Sequence, residues 1–133
     1  MAKKKIICDT DIMIDYWDTS QKRYSSTVEI LDNQIGLDNI VLSAITKMEL
    51  ISGATNKNDL NKISKSLNRF NIALINNEIT IEGFHLLEKY KLSHGLNLPD
   101  CFIAATAIVA ELELFTYNVK DYKFISHLKL YKP

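Results

Sequence analysis

Apolar positions fall into short continuous runs that alternate with longer stretches of helical spacing. Lys5-Ile6-Ile7-Cys8 predicts a short buried strand ending at Asp9. Val28, Leu31 and Ile35 recur at helical spacing, and Gly36 supplies the stop. Ile40-Val41-Leu42 predicts a second strand ending at Ser43; Ile45, Met48 and Ile51 then mark one helical face, closed by Gly53. Leu60, Ile63, Leu67 and Phe70 predict an amphipathic helix with Lys62, Lys65 and Arg69 on its other sides. Ile72 to Ile75 predicts a third strand, followed by a helix from Ile79 to Leu92 that uses Ile81, Phe84, Leu87 and Tyr90. Asn97-Leu98-Pro99-Asp100 has the form of a helix start, with Pro in the first turn and Asp at the positive end. The helix it opens is apolar nearly all round, as expected of one pressed against a sheet. Leu114 to Tyr117 predicts a fourth strand and Lys129 to Tyr131 a fifth. Strands alternating with helices imply a three-layer α/β/α sandwich with a short central parallel sheet.

Length and charge narrow the class. With 133 residues the chain reads as one domain, 1–133, and 47% hydrophobic against 24% charged residues excludes a disordered chain. Sixteen basic and sixteen acidic residues cancel, so a nucleic-acid or membrane partner has to be held by a local site. Two cysteines, Cys8 and Cys101, make no disulfide framework and suit a reducing compartment. The lysine-rich start resembles a signal peptide only until Asp9, Asp11 and Asp15 interrupt it. The longest apolar run, Cys101 to Ala110, is about half a membrane span. The expectation is a cytoplasmic protein with no membrane anchor.

The carboxylates carry the chemical signal. In an open α/β sheet, ligands bind beyond the carboxyl ends of the strands. Asp9 and Asp11 follow the first strand, Glu49 lies in the helix after the second, Asp100 opens the apolar helix, and Asp121 follows the fourth strand. Singly, each has a local explanation. Asp9 suits an N-cap, Thr46 to Glu49 a capping box, Asp100 a first-turn acid, Asp121 a solvated loop, and Asp11 and Asp15 a polar helix face. Gathered at one edge they repel, and such clusters need a cation or a shared proton. Mg²⁺ and Mn²⁺ take oxygen ligands of this kind. His85, His94 and His127 are too scattered to form a site, and Cys8 and Cys101 read as core. Lys3 to Lys5, the Lys57 to Arg69 helix, and above all Lys120 and Lys123 are candidate phosphate contacts. Tyr117 and Tyr122 are equally suited to packing and to base stacking.

Four segments resemble the motifs of the PIN-domain family. Cys8-Asp9-Thr10-Asp11-Ile12 looks like its opening, and Ser43-Ala-Ile-Thr46-Lys-Met-Glu49-Leu50 is similar to its second motif. Leu98-Pro99-Asp100-Cys-Phe-Ile103-Ala104-Ala105 resembles the third, and Thr116-Tyr-Asn118-Val-Lys-Asp121-Tyr122 the fourth. The size is most like the VapC-type ribonuclease toxins of prokaryotic toxin–antitoxin pairs.

The resemblance implies an endoribonuclease in which Asp9, Glu49, Asp100 and Asp121 bind Mg²⁺ or Mn²⁺ and a cation-activated water attacks the RNA phosphodiester. It also implies auxiliary roles for Thr10, Asp11, Thr116 and Asn118, RNA contacts from Lys120 and Lys123, a small antitoxin encoded nearby, and a homodimer. Two features depart from the family pattern or leave it open: Asp11 stands where Asn is common, and either Asn118 or Asp121 can present the fourth oxygen. One alternative is a PIN-like binding module without catalysis, against which four intact acids count. Another is a haloacid-dehalogenase-type phosphohydrolase, suggested by Asp9-x-Asp11. That class continues with Gly and Thr or Ser, where Ile12 and Met13 stand here.

Overall fold

A computed structural model describes residues 4–133; the candidate contact Lys3 lies outside the described residues. Four strands form one parallel sheet in the order β3-β2-β1-β4. They are β1 (Ile6–Cys8), β2 (Ile40–Ser43), β3 (Asn71–Ala73) and β4 (Glu113–Phe115). The helices between them are α1 (Thr10–Trp17), α2 (Tyr24–Glu29), α3 (Ala44–Ser52), α4 (Lys57–Leu67), α5 (Asn77–His94) and α6 (Leu98–Ala110). A π-helical turn, Ile30–Ile35, prolongs α2 and stops at Gly36, whose φ of 88° suits glycine. The expected fifth strand is a single bridge between Leu114 and Leu130.

Side chains alternate across the strands and split the core in two. Ile7, Val41 and Leu114 face the layer built by α5 and α6. Ile6, Cys8, Ile40, Leu42 and Phe115 face the layer containing Ile12 and Met13 of α1 and Ile30, Leu31 and Ile35 after α2. The three-layer α/β/α expectation therefore holds. On α6, Cys101, Ile103, Ala104, Ala105 and Ala107 are all buried, as its near-uniform apolarity requires. Gly83 lets α5 approach α6 closely, since a Cβ there would lie 3.1 Å from the Phe102 ring. The Cys101 thiol donates to the Gly83 carbonyl at 3.2 Å.

Two helical faces differ from their sequence expectation. In α3 the buried side is Ala44, Thr46 and Leu50, whereas Met48 is 57% exposed. In α5 it is Ile79, Gly83, Leu86 and Tyr90, whereas Ile81 and Phe84 are more than half exposed. On α4 the expected side packs, with Leu67 buried and Ile63 half-buried, and Phe70 lies just past the helix end, buried against Trp17. Both α3 and α5 carry apolar residues on more sides than their neighbours cover, so periodicity alone does not select the packed side there.

Strand order also sets where a ligand can sit. From β1 the chain goes first to β2 on one side and later crosses to β4 on the other. Connections diverge at the carboxyl ends of β1 and β4, which makes that point the natural crevice of the sheet.

Candidate active site

Asp9 stands at this crevice, one residue beyond β1. It is the N-cap of α1, and its Oδ1 accepts from the Thr10 amide at 2.8 Å. Its Oδ2 accepts from the Thr116 hydroxyl, just past β4, also at 2.8 Å. Both oxygens are therefore held by neighbouring elements, and the N-cap expectation for Asp9 holds. Burial first, then the charge of Asp11, push its carboxyl up to about 7 against the lowering effect of these hydrogen bonds; Asp100 adds to the rise.

Asp11 is more deeply placed than a polar helix face requires. Its Oδ2 accepts from the Tyr117 amide at 3.0 Å, tying α1 to the segment after β4. Its other oxygen is buried and has no hydrogen-bond partner. Burial again raises the carboxyl, opposed by backbone donors and aided by Asp15. Asp15 itself lies 4.0 Å from Arg23, whose guanidinium sits over the Tyr117 ring at 4.4 Å.

Asp100 arrives from the first turn of α6. Asn97 caps that helix by accepting from the Asp100 amide at 2.9 Å, and its Nδ2 donates to Asp100 Oδ2 at 3.3 Å. Asp100 Oδ1 accepts from the Tyr122 hydroxyl at 3.0 Å. Burial raises the Asp100 carboxyl, and the charges of Asp121 and Glu49 act in the same direction. Tyr122 is 1% exposed, so its ring is core and unavailable for base stacking.

Glu49 is exposed, and its Oε1 accepts from the Thr10 hydroxyl at 2.7 Å. Thr10 also lies 3.0 Å from the Thr46 hydroxyl, and Ser43 Oγ accepts from the Thr46 amide at 3.0 Å. The N-cap of α3 is thus Ser43, not Thr46, which removes the capping-box explanation of Glu49. Asp121 is exposed in the 3₁₀ turn Val119–Asp121, and the amide of Asn118 donates to the Thr116 hydroxyl at 3.0 Å. A small depression lined by His94, Asn97, Asp100, Lys120, Asp121 and Phe124 runs beside Asp100. Lys120 therefore borders the site; Lys123 is exposed and its backbone amide closes a turn onto Val119.

No three acidic, histidine or cysteine side chains among the described residues already close around one point as a cage would. Mg²⁺ does not need such a cage, because it is usually held by one or two carboxylates and keeps several waters. None of Asp9, Asp11, Glu49, Asp100 and Asp121 forms an ion pair among the described residues. Oxygen-only donors, mutually repelling carboxylates and one unpartnered buried oxygen fit a hard divalent cation. The thiols do not compete: burial holds Cys8 far above its ordinary range and pushes Cys101 up to about 11, so both are protonated core groups.

The PIN-domain family model matches residues 6–124. The chain belongs to the PIN-domain family. That membership displaces the haloacid-dehalogenase reading of Asp9-x-Asp11. The chain is 27% identical over 124 residues to Ribonuclease VapC19 of Mycobacterium tuberculosis, covering 92% of this chain and 96% of that protein. A toxin–antitoxin complex from Klebsiella pneumoniae contains a chain with a TM-score of 0.74 and 30% identity, over 97% of this PIN-domain chain and 100% of that one. VapBC-1 from nontypeable Haemophilus influenzae gives a TM-score of 0.74 at 26% identity, covering 96% of both chains. Among the described residues, no helix of this PIN-domain protein is long and apolar enough to cross a membrane.

Sequence reasoning did not assign the Tyr122 hydroxyl to Asp100, nor Thr46 and Ser43 to the hydroxyl chain beneath Glu49. The polar start of the second motif was the available signal for Ser43 and Thr46. For Tyr122 the signal was only that it directly follows Asp121.

Proposed function

We propose that this protein is an Mg²⁺- or Mn²⁺-dependent endoribonuclease that cleaves RNA phosphodiester bonds and serves as the toxin of a toxin–antitoxin pair. The observation that carries the reading is the buried Asp9 carboxylate, crowded by Asp11 and Asp100 and, among the described residues, without a cationic side chain in ion-pair reach. The match to a ribonuclease over 92% of the chain supports RNA as the substrate. The likeness to toxin–antitoxin complexes supports a small antitoxin partner. A homodimer in the cytoplasm completes the proposal.

Asp9 and Asp100 would be the primary ligands, Glu49 would act through water or a second ion, and Asp121 or Asn118 would supply a further oxygen. When bound, the cation supplies Lewis-acid stabilisation of the phosphate and lowers the pKa of water towards neutrality. The chain's part is placement. Thr116 and Thr10 hold both oxygens of Asp9, Asn97 and Tyr122 hold those of Asp100, and the Thr10 hydroxyl holds Glu49 by one oxygen. Asp11 pins the segment that carries Thr116 and Asn118, and Lys120 offers positive charge to the phosphate chain.

The direct test is incubation of purified protein with total RNA, with Mg²⁺ or Mn²⁺ against chelator. Cleavage is expected only with the cation, and expression in a bacterial host is expected to arrest growth. Cleavage that survives exhaustive chelation would sink the metal mechanism, and normal growth with abundant folded protein would sink the toxin role.

The ligands are expected to rank by how firmly they are held. Glu49→Ala should lose nearly all activity, whereas Asp121→Ala should retain a measurable fraction, because Asp121 is exposed and Asn118 lies nearby in sequence as an alternative oxygen donor. Raised Mn²⁺ should recover Asp121→Ala better than Asp100→Ala, since a weakened site still fills by mass action. A single-turnover Mn²⁺ titration decides it. Equal inactivity of the two variants at every concentration would make Asp121 a primary ligand.

A further inference from the structure

Tyr122 places a phenol in an unusual position for a buried aromatic. Its ring belongs to the core layer with Cys101, Ile103 and Leu114. Its hydroxyl comes up through the floor of the crevice and donates to Asp100 Oδ1 at 3.0 Å. Asp100 Oδ2 receives the longer 3.3 Å contact from Asn97, so the Tyr122 bond is the shorter side-chain contact orienting this carboxylate. A ring buried on every side cannot swing, and the donor is therefore fixed in space in a way that a surface serine or lysine is not.

We infer that Tyr122 is a positioning residue for the cation site, its hydroxyl fixing the plane of the Asp100 carboxylate so that one oxygen is presented to the ion. The inference rests on the proposed metal-dependent reading of the site. A donor on Oδ1 occupies lone-pair capacity there, which favours a single Asp100 oxygen for the metal, the mode suited to the near-octahedral shell of Mg²⁺. Groups that orient a ligand in this way commonly change metal affinity or activity by 10- to 100-fold when removed. Packing alone would not require the hydroxyl, because phenylalanine fills the same volume.

The test compares wild type with Tyr122→Phe by calorimetric titration of Mg²⁺ into the metal-free protein, alongside urea unfolding. Tyr122→Phe is expected to unfold at a similar urea concentration and bind Mg²⁺ about tenfold more weakly. In an Asp100→Asn background the same substitution should cause no further loss of Mg²⁺ affinity, because the group it orients is no longer a carboxylate ligand. Equal Mg²⁺ affinity of Tyr122→Phe and wild type would overturn the inference. So would an equal loss in both backgrounds, which would indicate a general packing defect. Wild type that binds Mg²⁺ but cleaves no RNA would refute the ribonuclease reading while the affinity ratio still decides the role of Tyr122. Wild type that binds no divalent cation would overturn both.

Discussion

Asp9→Asn and Asp100→Asn should each abolish metal-dependent RNA cleavage, by at least about a thousandfold, while leaving the protein folded. The expected size follows from removing a directly held charge in a site whose catalysis is electrostatic placement. The folded state should tolerate both changes, because the hydrogen-bond partners are adaptable. In Asp9→Asn the amide oxygen keeps the Thr10 amide donor, and the new NH₂ faces a Thr116 hydroxyl that can rotate to accept. In Asp100→Asn the carbonyl oxygen keeps the Tyr122 donor, at the expense of the longer Asn97 contact. Each substitution also removes a buried charge that crowds its neighbours, so thermal stability without metal should stay level or rise. Cleavage assays and melting curves on the same preparations check both halves. Wild-type cleavage rates in both folded variants would refute the proposed ligand set.

The first two strands were legible because their signals are local, whereas the sheet order was not read from the sequence. Ile6 to Cys8 and Ile40 to Leu42 are short apolar runs, each ended by a polar residue that caps the next helix. Asn97 with Pro99 marked the start of α6 for the same reason. The side of α5 that packs was not legible. Ile79, Leu86 and Tyr90 interleave with Ile81 and Phe84, and only the position of α6 selects between them. Site contacts spanning the whole chain were also hidden. The bond from Thr116 to Asp9 joins residues 107 positions apart, so spacing carries no trace of it. Glu49 was misleading for a different reason: a Thr three residues before a Glu has the form of a cap, yet Ser43 had already started the helix.

The metal-free protein should become less stable as pH rises from 5 to 7.5, and Mg²⁺ should reverse the loss. Asp9 is held at about 7 by burial and by the charges of Asp11 and Asp100, whereas an unfolded Asp titrates near 4. Between those values the folded chain binds a proton that the unfolded chain has released, so unfolding stability falls with rising pH. The contribution is fully present below the unfolded value and is lost as pH passes through about 7. Asp11 and Asp100 are shifted in the same direction and add to it. Asp18 is shifted downward, and its window lies on the acid side of this range. The swing should be on the order of 2–4 kcal/mol, or about 10 °C in melting temperature for a domain of this size. Mg²⁺ binds the ionised carboxylates, so it should stabilise strongly at pH 7.5 and weakly at pH 5, where protons compete for the same oxygens. Asp9→Asn should flatten the pH profile and remove most of the Mg²⁺ gain. Melting temperatures at the two pH values, with and without Mg²⁺, measure all of this in one set of scans. A profile unchanged by Asp9→Asn would mean that the crowded carboxylates are not what the cation relieves.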